Sequence, residues 1–423
     1  MRKKVLVRGP VLTRSGYGEH ARFVCRALRA KENIFDVFIV PINWGQCGWI
    51  TEDNEERAWL DEKIKETAIH AQNGGQFDMS VQITIPNEWD RMAPINIGVT
   101  AGIETTKVAP VWLEKANMMD KIIVVSDHSK QSFENAIFEG MNSQTQQPMT
   151  LKCETPIDVV HYPVKTYENL PEVELGLNYD FNYLVVAQHG PRKNLENTIR
   201  WFVEENIDQK VGLVVKTFIA TNSVQDRMHT EDMLSGMLLK YPDRKCKVYL
   251  LHGDMSDEEI HSLYTHPKIK CVVSATHGEG FGLPLFEAAY NGLPVIAPGW
   301  SGQCDFLYAP FKSKKGKGKS KDKHPYFAEV DYTIGPIPPS AHWEGVIIKE
   351  SMWCYPEEGS YKMNLRAVRK NYSKWKKKAD TLQKWILENF ESSAIHERMA
   401  NCIFKPSAEE LEWMQKLSKI EIL

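Results

Sequence analysis

Short apolar runs alternate with helical periods along this chain of 423 residues, and the alternation starts over near its middle. Val5–Val7 comes first, followed by a segment whose Ala21, Val24 and Leu28 share one helical face. Phe35–Val40, Val81–Ile85, Ile95–Val99, Lys121–Val125 and Pro156–Val160 supply further strands, with a polar surface turn at Ser143–Gln147. Tyr167–Asn178 is acidic and irregular, as a linker between domains would be. The pattern then restarts, with strands at Tyr183–Val186, Val211–Val215, Val248–Leu251, Cys271–Ser274 and Pro294–Ile296. Helical periods separate them at Leu195–Glu204, Met233–Lys240, Asp257–Tyr264 and Leu285–Tyr290. Strands alternating with helices predict parallel sheets covered on both faces. Two such blocks predict an α/β chain of two Rossmann-like, doubly wound domains, with a ligand cleft between them at the carboxyl ends of the strands.

The length agrees, because single cores stop growing at roughly 250–300 residues. We place an N-terminal domain over 1–165 and a C-terminal domain over 166–392, the latter interrupted by a lysine-rich insertion at 311–324. A C-terminal helix and tail, 393–423, is expected to pack back on the first domain. Lys312–Lys323 holds seven lysines and reads as a solvated loop, with a polyanion or membrane-surface contact as the alternative. Leu365, Val368, Tyr372, Trp375, Ala379, Leu382 and Ile386 recur at spacings of three and four and predict one long amphipathic helix. A shorter helix follows near Ala394–Ile403.

Charge excludes some partners. With 52 basic against 55 acidic residues the net charge is -3, which offers no footprint for nucleic acid. No stretch approaches the ~18 apolar residues of a membrane span, so any membrane contact would be peripheral. The segment Met1–Arg8 lacks the apolar core of a signal peptide. The eight cysteines, from Cys25 to Cys402, include no Cys-x-x-Cys pair. They read as reduced thiols in a cytoplasmic protein without structural zinc.

The chemistry concentrates in one segment, His277-Gly278-Glu279-Gly280-Phe281-Gly282-Leu283-Pro284-Leu285-Phe286-Glu287-Ala288-Ala289, which follows a strand and opens a helix. Pro284 suits a first helical turn and Gly292 a helix end. Three glycines in five positions let the backbone approach a ligand and leave N–H groups at a helix N-terminus, a ready anion site. Glu279 in the loop and Glu287 one turn into the helix add acceptors for hydroxyls. Phosphate and hydroxyls together are what such a segment suits.

This segment resembles the retaining GT-B glycosyltransferases of family 4 (group 1). The likeness rests on Glu279-x7-Glu287 with Phe281-Gly282 inside it, continued by Gly292-Leu293-Pro294-Val295-Ile296-Ala297 and Ser301-Gly302. It spans nearly thirty residues, to about Asp305, which reads as a helix-starting acid. The resemblance implies that Glu279 holds hydroxyls of the transferred sugar and Glu287 the ribose. The backbone of Gly280, Phe281, Gly282 and Leu283 would face the sugar and phosphate, with His277 as a further sugar or acceptor contact.

Other loops carry weaker signals. Gln188-His189-Gly190-Pro191-Arg192-Lys193-Asn194 sits where the resembled family keeps cations for the leaving diphosphate, a role Lys193 and Arg192 fit. Many relatives have an arginine where this chain has Gln188, and Lys216 at the next strand end is a candidate substitute. Ser15-Gly16-Tyr17-Gly18-Glu19-His20-Ala21 matches a dinucleotide fingerprint, Gly-x-Gly-x-x-Ala. The long loop from Gly9 to Ser15 and an acid, Asp36, ahead of the second strand instead of at its end argue against a nicotinamide. In the resembled family the equivalent loop faces the cleft near the diphosphate or acceptor, which implies Gly16 and Gly18 near the donor and Tyr17 near the acceptor or sugar. In Thr100-Ala101-Gly102-Ile103-Glu104-Thr105-Thr106, Glu104 stands where many relatives have a histidine. A helix cap by Thr105 or Thr106 fits that loop equally. Ser126-Asp127-His128-Ser129 reads mainly as a cap. Trp44, Trp49 and Trp89 are acceptor candidates that core packing would explain as well.

The expected reaction moves a sugar from a nucleotide sugar to a hydroxyl acceptor, a glycan or similar, with retention. No metal or other cofactor is required, since basic residues and helix dipoles neutralise the leaving group. Two other readings stay open: a GT-B sugar-nucleotide epimerase, and a non-catalytic protein that binds a sugar nucleotide or glycan.

Overall fold

The computed structural model describes residues 2–141, 147–310, 322–410 and 412, and over them the alternation of strands and helices is present twice. The expected turn at Ser143–Gln147 and the lysine-rich insertion fall almost wholly outside the described residues. The chain divides into two units: Met1–Pro163 with Trp343–Ile348 and Ser392–Leu423, and Val164–His342 with Lys349–Glu391.

The first unit runs β1 (Lys3–Gly9), α1 (Gly16–Arg29), β2 (Phe35–Pro41), α2 (Glu55–Gln72), β3 (Met79–Ile83), β4 (Ile95–Thr100), α3 (Pro110–Ala116), β5 (Lys121–Val124), α4 (Asp127–Glu134), an antiparallel pair β6 (Phe138–Met141) and β7 (Pro148–Leu151), and β8 (Ile157–Val159). Its sheet is parallel in the order β2-β1-β3-β4-β5-β8. Val5 and Val7 in β1 are fully buried, as are Ala21, Val24 and Leu28 on the predicted face of α1. Trp89 is core as well: a Cβ on Gly98 would come within 2.6 Å of its ring.

The second unit runs β9 (Asn182–Val186), α5 (Leu195–Glu205), β10 (Gly212–Lys216), α6 (Val224–Leu238), β11 (Lys247–Leu251), α7 (Asp257–Thr265), β12 (Ile269–Val273), α8 (Leu283–Tyr290), β13 (Val295–Pro298), α9 (Cys304–Leu307), β14 (Tyr308–Pro310), β15 (Lys323–Pro325), β16 (Ala328–Val330), β17 (Tyr332–Pro336), β18 (Met352–Pro356), α10 (Glu358–Lys370) and α11 (Tyr372–Asn389). The parallel order is β11-β10-β9-β12-β13-β16. β14 with β15 and β17 with β18 form separate antiparallel pairs. A last helix, α12 (Ser392–Ile403), packs against α1 in the first unit.

The short strands β6, β7 and β14–β18 are not expected from the sequence, and three helical regions also differ from expectation. The single helix over 365–386 is two helices, because Asn371 leaves helical geometry at φ -125° and ψ 41°. Its N–H caps α10 on the Ala367 carbonyl while its own carbonyl receives Lys374 N–H at the start of α11. The apolar stripe continues across this break, so spacing alone does not reveal it. α2 was not anticipated, because of its eighteen residues only Trp59, Leu60 and Thr67 are buried and no stripe forms. α6 begins at Val224, well before Met233, since Ser223 caps a polar first turn.

α1 also buries His20. Both ring nitrogens lack a hydrogen-bond partner among the described residues, and the rings of Phe23 and Tyr162 lie against it. Burial holds the imidazole down at about 3, from an ordinary 6.5, outweighing the opposing charge of Glu19. The unfolded chain therefore takes up a proton that the folded chain refuses, and stability falls as pH drops from 6.5 towards 3. Between pH 6.5 and 4.5, wild type is expected to lose roughly 2–3 kcal/mol more unfolding free energy than His20→Phe. Denaturant titrations at the two pH values check this, and identical pH slopes would refute it.

Candidate functional site

In an open parallel sheet, ligands collect where strand order reverses, beyond the carboxyl ends of the two strands concerned. In the second unit that point lies between β9 and β12. The loop after β9 carries Arg192 and Lys193; the loop after β12 carries Glu279.

The loop after β12 is held by its neighbours. Gly282, at φ +94°, turns the chain into α8, with Pro284 in the first turn. α8 ends at Gly292 (φ +71°), where Gly292 N–H reaches the Ala289 carbonyl and Leu293 N–H the Ala288 carbonyl. That is a Schellman end. Ser301 Oγ accepts the Glu279 N–H at 2.9 Å, and Gly302 N–H donates to the Glu279 carbonyl at 2.9 Å. A Cβ on Gly302 would lie 2.0 Å from the Gly280 carbonyl oxygen. Asp305 sits in the first turn of α9, as expected.

Pro191–Lys193 forms one tight turn closed by Asn194, a non-glycine residue in the left-handed region (φ 50°) whose side chain donates to the Ala275 carbonyl at 2.9 Å. This turn points both cations at one carboxylate. Lys193 Nζ lies 2.6 and 2.8 Å from the two Glu279 oxygens, and Arg192 Nη1 lies 3.0 Å from Oε2 and 2.7 Å from the Gly278 carbonyl. Glu279 is only 7% exposed. Burial pushes its carboxyl up, but Lys193 and Arg192 outweigh this and hold it at about 2. Three side chains that sum to one positive charge, beside a glycine-rich helix start, suit an anion that brings hydroxyls.

His277 anchors the other side. Its ring stacks on Trp353 at 4.6 Å, its Nδ1 donates to the Cys354 carbonyl at 2.6 Å, and Cys354 N–H returns a bond to the His277 carbonyl. β18 is thereby tied to the Glu279 loop. Burial lowers the His277 pKa, with the Cys354 carbonyl pulling the other way.

Glu287, one turn into α8, accepts the Tyr264 hydroxyl at 2.9 Å, a partner different from those of Glu279. The Phe281 side chain is core, packed on Phe286 and Phe306, which leaves only backbone near position 281 for a ligand. Lys216 is buried and bonds the Gly253 carbonyl at 2.6 Å, so it does not join the Glu279 cluster. Burial lowers its pKa, against the pull of Asp254. Gln188 donates to the Ile219 carbonyl.

In the first unit, strand order reverses between β1 and β3, and the Ser15–Ala21 motif follows β1. Ser15 caps α1 through Gly18 N–H, and Gly18 has no space for a side chain, its Cβ falling 2.0 Å from the Thr13 carbonyl oxygen. Gly16 has open space around it. Tyr17 donates to or accepts from Thr100 at 2.8 Å and stacks on Trp44 at 4.1 Å. Trp49 is 51% exposed, on a loop zipped to the one after β1 by Arg14 N–H to the Gly48 carbonyl and Ile50 N–H to the Leu12 carbonyl. Ser126 caps α4 as expected, and Ser129 Oγ donates to the Ala101 carbonyl in the Glu104 loop. Neither Thr105 nor Thr106 caps α3, which starts at Pro110 without a side-chain cap; Thr105 bonds the Lys107 carbonyl instead. Glu104 is half-buried in that loop. Among the described residues no group of three or more His, Cys, Asp or Glu side chains is placed to hold a metal ion.

Residues 177–307 match the family described as glycosyl transferases group 1. They include Arg192, Lys193, Glu279 and Glu287. The matched segment is similar to a group 1 glycosyltransferase domain. Over 195 residues the chain is 32% identical to the serotype-specific mannosyltransferase WbdA of Escherichia coli, covering 44% of this chain and 22% of that protein. The chain thus spans about a fifth of the curated relatives it matches. Among solved structures, HepE of Anabaena in complex with UDP and glucose aligns with a TM-score of 0.58 at 13% identity, over 95% of this chain and 99% of that one. Sucrose-phosphate synthase of Thermosynechococcus elongatus aligns at 0.56 and 13%, over 99% and 100%. At such identities the likeness shows the fold, and that fold is GT-B, with two Rossmann-like domains. No helix among the described residues of this glycosyltransferase-like chain is long and apolar enough to cross a membrane.

Proposed function

We propose that this protein transfers a hexose from a nucleotide-diphosphate sugar to a hydroxyl on a glycan-like acceptor, with retention at the anomeric carbon. The supporting observation is the Glu279 carboxylate held by Lys193 and Arg192 at a glycine-rich helix start. Lys carries three donors and Arg five, so both cations can serve Glu279 and a diphosphate together. Charge grows on the diphosphate as the glycosyl bond breaks, and fixed cations in a water-poor site stabilise that growth. Glu279 accepts hydroxyls of the sugar and Glu287 those of the ribose. For retention, the leaving phosphate takes the acceptor proton on the face where the new bond forms. These cations and the α8 N-terminus neutralise the leaving group without a metal ion.

The test incubates the protein with UDP- and GDP-hexoses, with and without glycan acceptors. Released nucleoside diphosphate is measured and the product anomer read by NMR. Acceptor-dependent release with an unchanged anomer is expected. Neither binding nor release with any donor would overturn the reading, and an inverted anomer would overturn the stereochemical part.

A further inference from the structure

A second buried carboxylate in the catalytic-motif unit has no part in the chemistry above. Asp226 is the third residue of α6, 7% exposed, and three consecutive backbone N–H groups converge on it: Ile219 at 3.0 Å, Ala220 at 2.7 Å and Thr221 at 2.9 Å. His252 Nε2 donates to Oδ1 at 2.8 Å, and Thr230 Oγ1 adds a longer bond at 3.3 Å. A capping acid at this position ordinarily folds back on the cap residue's own N–H. Asp226 instead reaches past Ser223 and gathers the loop between β10 and α6. The convergence fixes three peptide planes with one charge, and His252 ties them to the loop after β11.

That gathered loop is the wall on which the cation loop rests. His189 N–H donates to the Phe218 carbonyl at 2.8 Å, and Gln188 Nε2 donates to the Ile219 carbonyl at 3.0 Å. Two residues beyond His189 begins the turn that aims Arg192 and Lys193 at Glu279. On its far side the turn is held by Asn194 on Ala275 and Arg192 on Gly278. The Arg192–Lys193 turn is therefore clamped from two directions, and Asp226 supplies one of them without touching the turn.

We infer that Asp226, braced by His252, is a positioning residue that sets the Arg192–Lys193 loop for stabilising the leaving diphosphate. This rests on the proposed transfer reaction. An effect routed through Lys193 has a signature that plain loss of stability lacks: it vanishes when Lys193 is gone. Asp226→Asn puts an amide against converging N–H donors, while Gln188→Ala cuts the side-chain part of the same connection at an exposed site and leaves no buried charge unpaired.

The experiment is a double-mutant cycle on nucleotide release at saturating acceptor. The members are Asp226→Asn, Gln188→Ala, Lys193→Ala and both combinations with Lys193→Ala, with melting temperatures measured for all. Asp226→Asn is expected to lower kcat about tenfold and Gln188→Ala about threefold in the wild-type background. Each is expected to change it less than twofold once Lys193 is alanine, with the acceptor KM unchanged throughout. Full effects persisting in the Lys193→Ala background would overturn the inference. So would an unaffected kcat in Gln188→Ala, whose fold is the less disturbed, even if Asp226→Asn unfolds. A wild type that releases no nucleotide sinks the transfer reaction itself and is thereby distinguished from failure of the positioning role.

Discussion

Lys193→Ala is expected to reduce nucleotide release by about 10²–10³-fold, the usual cost of losing one preorganised donor to developing charge. Lys193 is the shorter of the two contacts to Glu279, at 2.6 Å, and the less exposed of the two cations. Removing it leaves the buried carboxylate with Arg192 alone, so two consequences should appear together. The rate falls because the diphosphate loses a cation. The Glu279 pKa, held at about 2 chiefly by Lys193 against burial, rises. In wild type this carboxyl sits below its unfolded value, so its contribution is present above pH ~4.5 and is lost as pH falls towards 2. In the variant that contribution is smaller and fades at higher pH. Lys193→Arg should recover part of the rate, since charge is kept while geometry is not. Steady-state kinetics and acid titration of stability check both. A variant within twofold of wild-type kcat would remove Lys193 from the machinery.

Gly302→Ala is expected to be the most damaging small substitution near the site. The new Cβ would meet the Gly280 carbonyl oxygen at 2.0 Å, its carbon at 2.5 Å and the Phe281 Cα at 2.8 Å. All three are backbone atoms, so no rotamer change relieves the overlap. The Gly302 N–H bond to the Glu279 carbonyl must lengthen, and the Glu279 loop must shift. A cost of about 3 kcal/mol is expected from the overlap. A displacement near 1 Å at Glu279 adds roughly a 10²-fold rate loss. Gly359→Ala is the control: it lies in α10 and its Cβ meets nothing within 4 Å. Thermal melts and kinetics of the pair measure this. Equal behaviour of the two variants would mean that the loop yields without cost.

Local spacing in the chain carries the information for much of the fold. Most strands of the two parallel sheets, the Gly292 helix end and the Ser126 cap are set by residues within a few positions of one another. The family resemblance implies separate roles, Glu279 for sugar hydroxyls and Lys193 with Arg192 for phosphate. Their mutual ion pair was not legible, because partners 86 and 87 residues apart meet only through the strand order. Lys216, a candidate by its place at a strand end, donates to the Gly253 carbonyl, a contact that spacing does not reveal. Asp226 was missed although Ser223-x-x-Asp226 is a helix-start signature; what the carboxylate gathers lies on the loop behind it. The split at Asn371 was invisible because its flanking apolar stripe stays in phase. Of the three tryptophans weighed as acceptor contacts, Trp89 proves to be core, and Trp49 stands exposed.

The six residues Trp343–Ile348 belong with the first unit although the chain on either side belongs with the second. Val346 sits in the same apolar cluster as Trp112, Leu113 and Ile122, and Met399 of α12 is fully buried in the first unit too. The chain therefore crosses between units four times. A gene fragment ending near residue 163 would carry the first sheet but lack two pieces of its own interior. Any attempt to exchange one half of this protein for that of a relative has to move three separate stretches of sequence, or the recipient core is left with holes at Val346 and Met399.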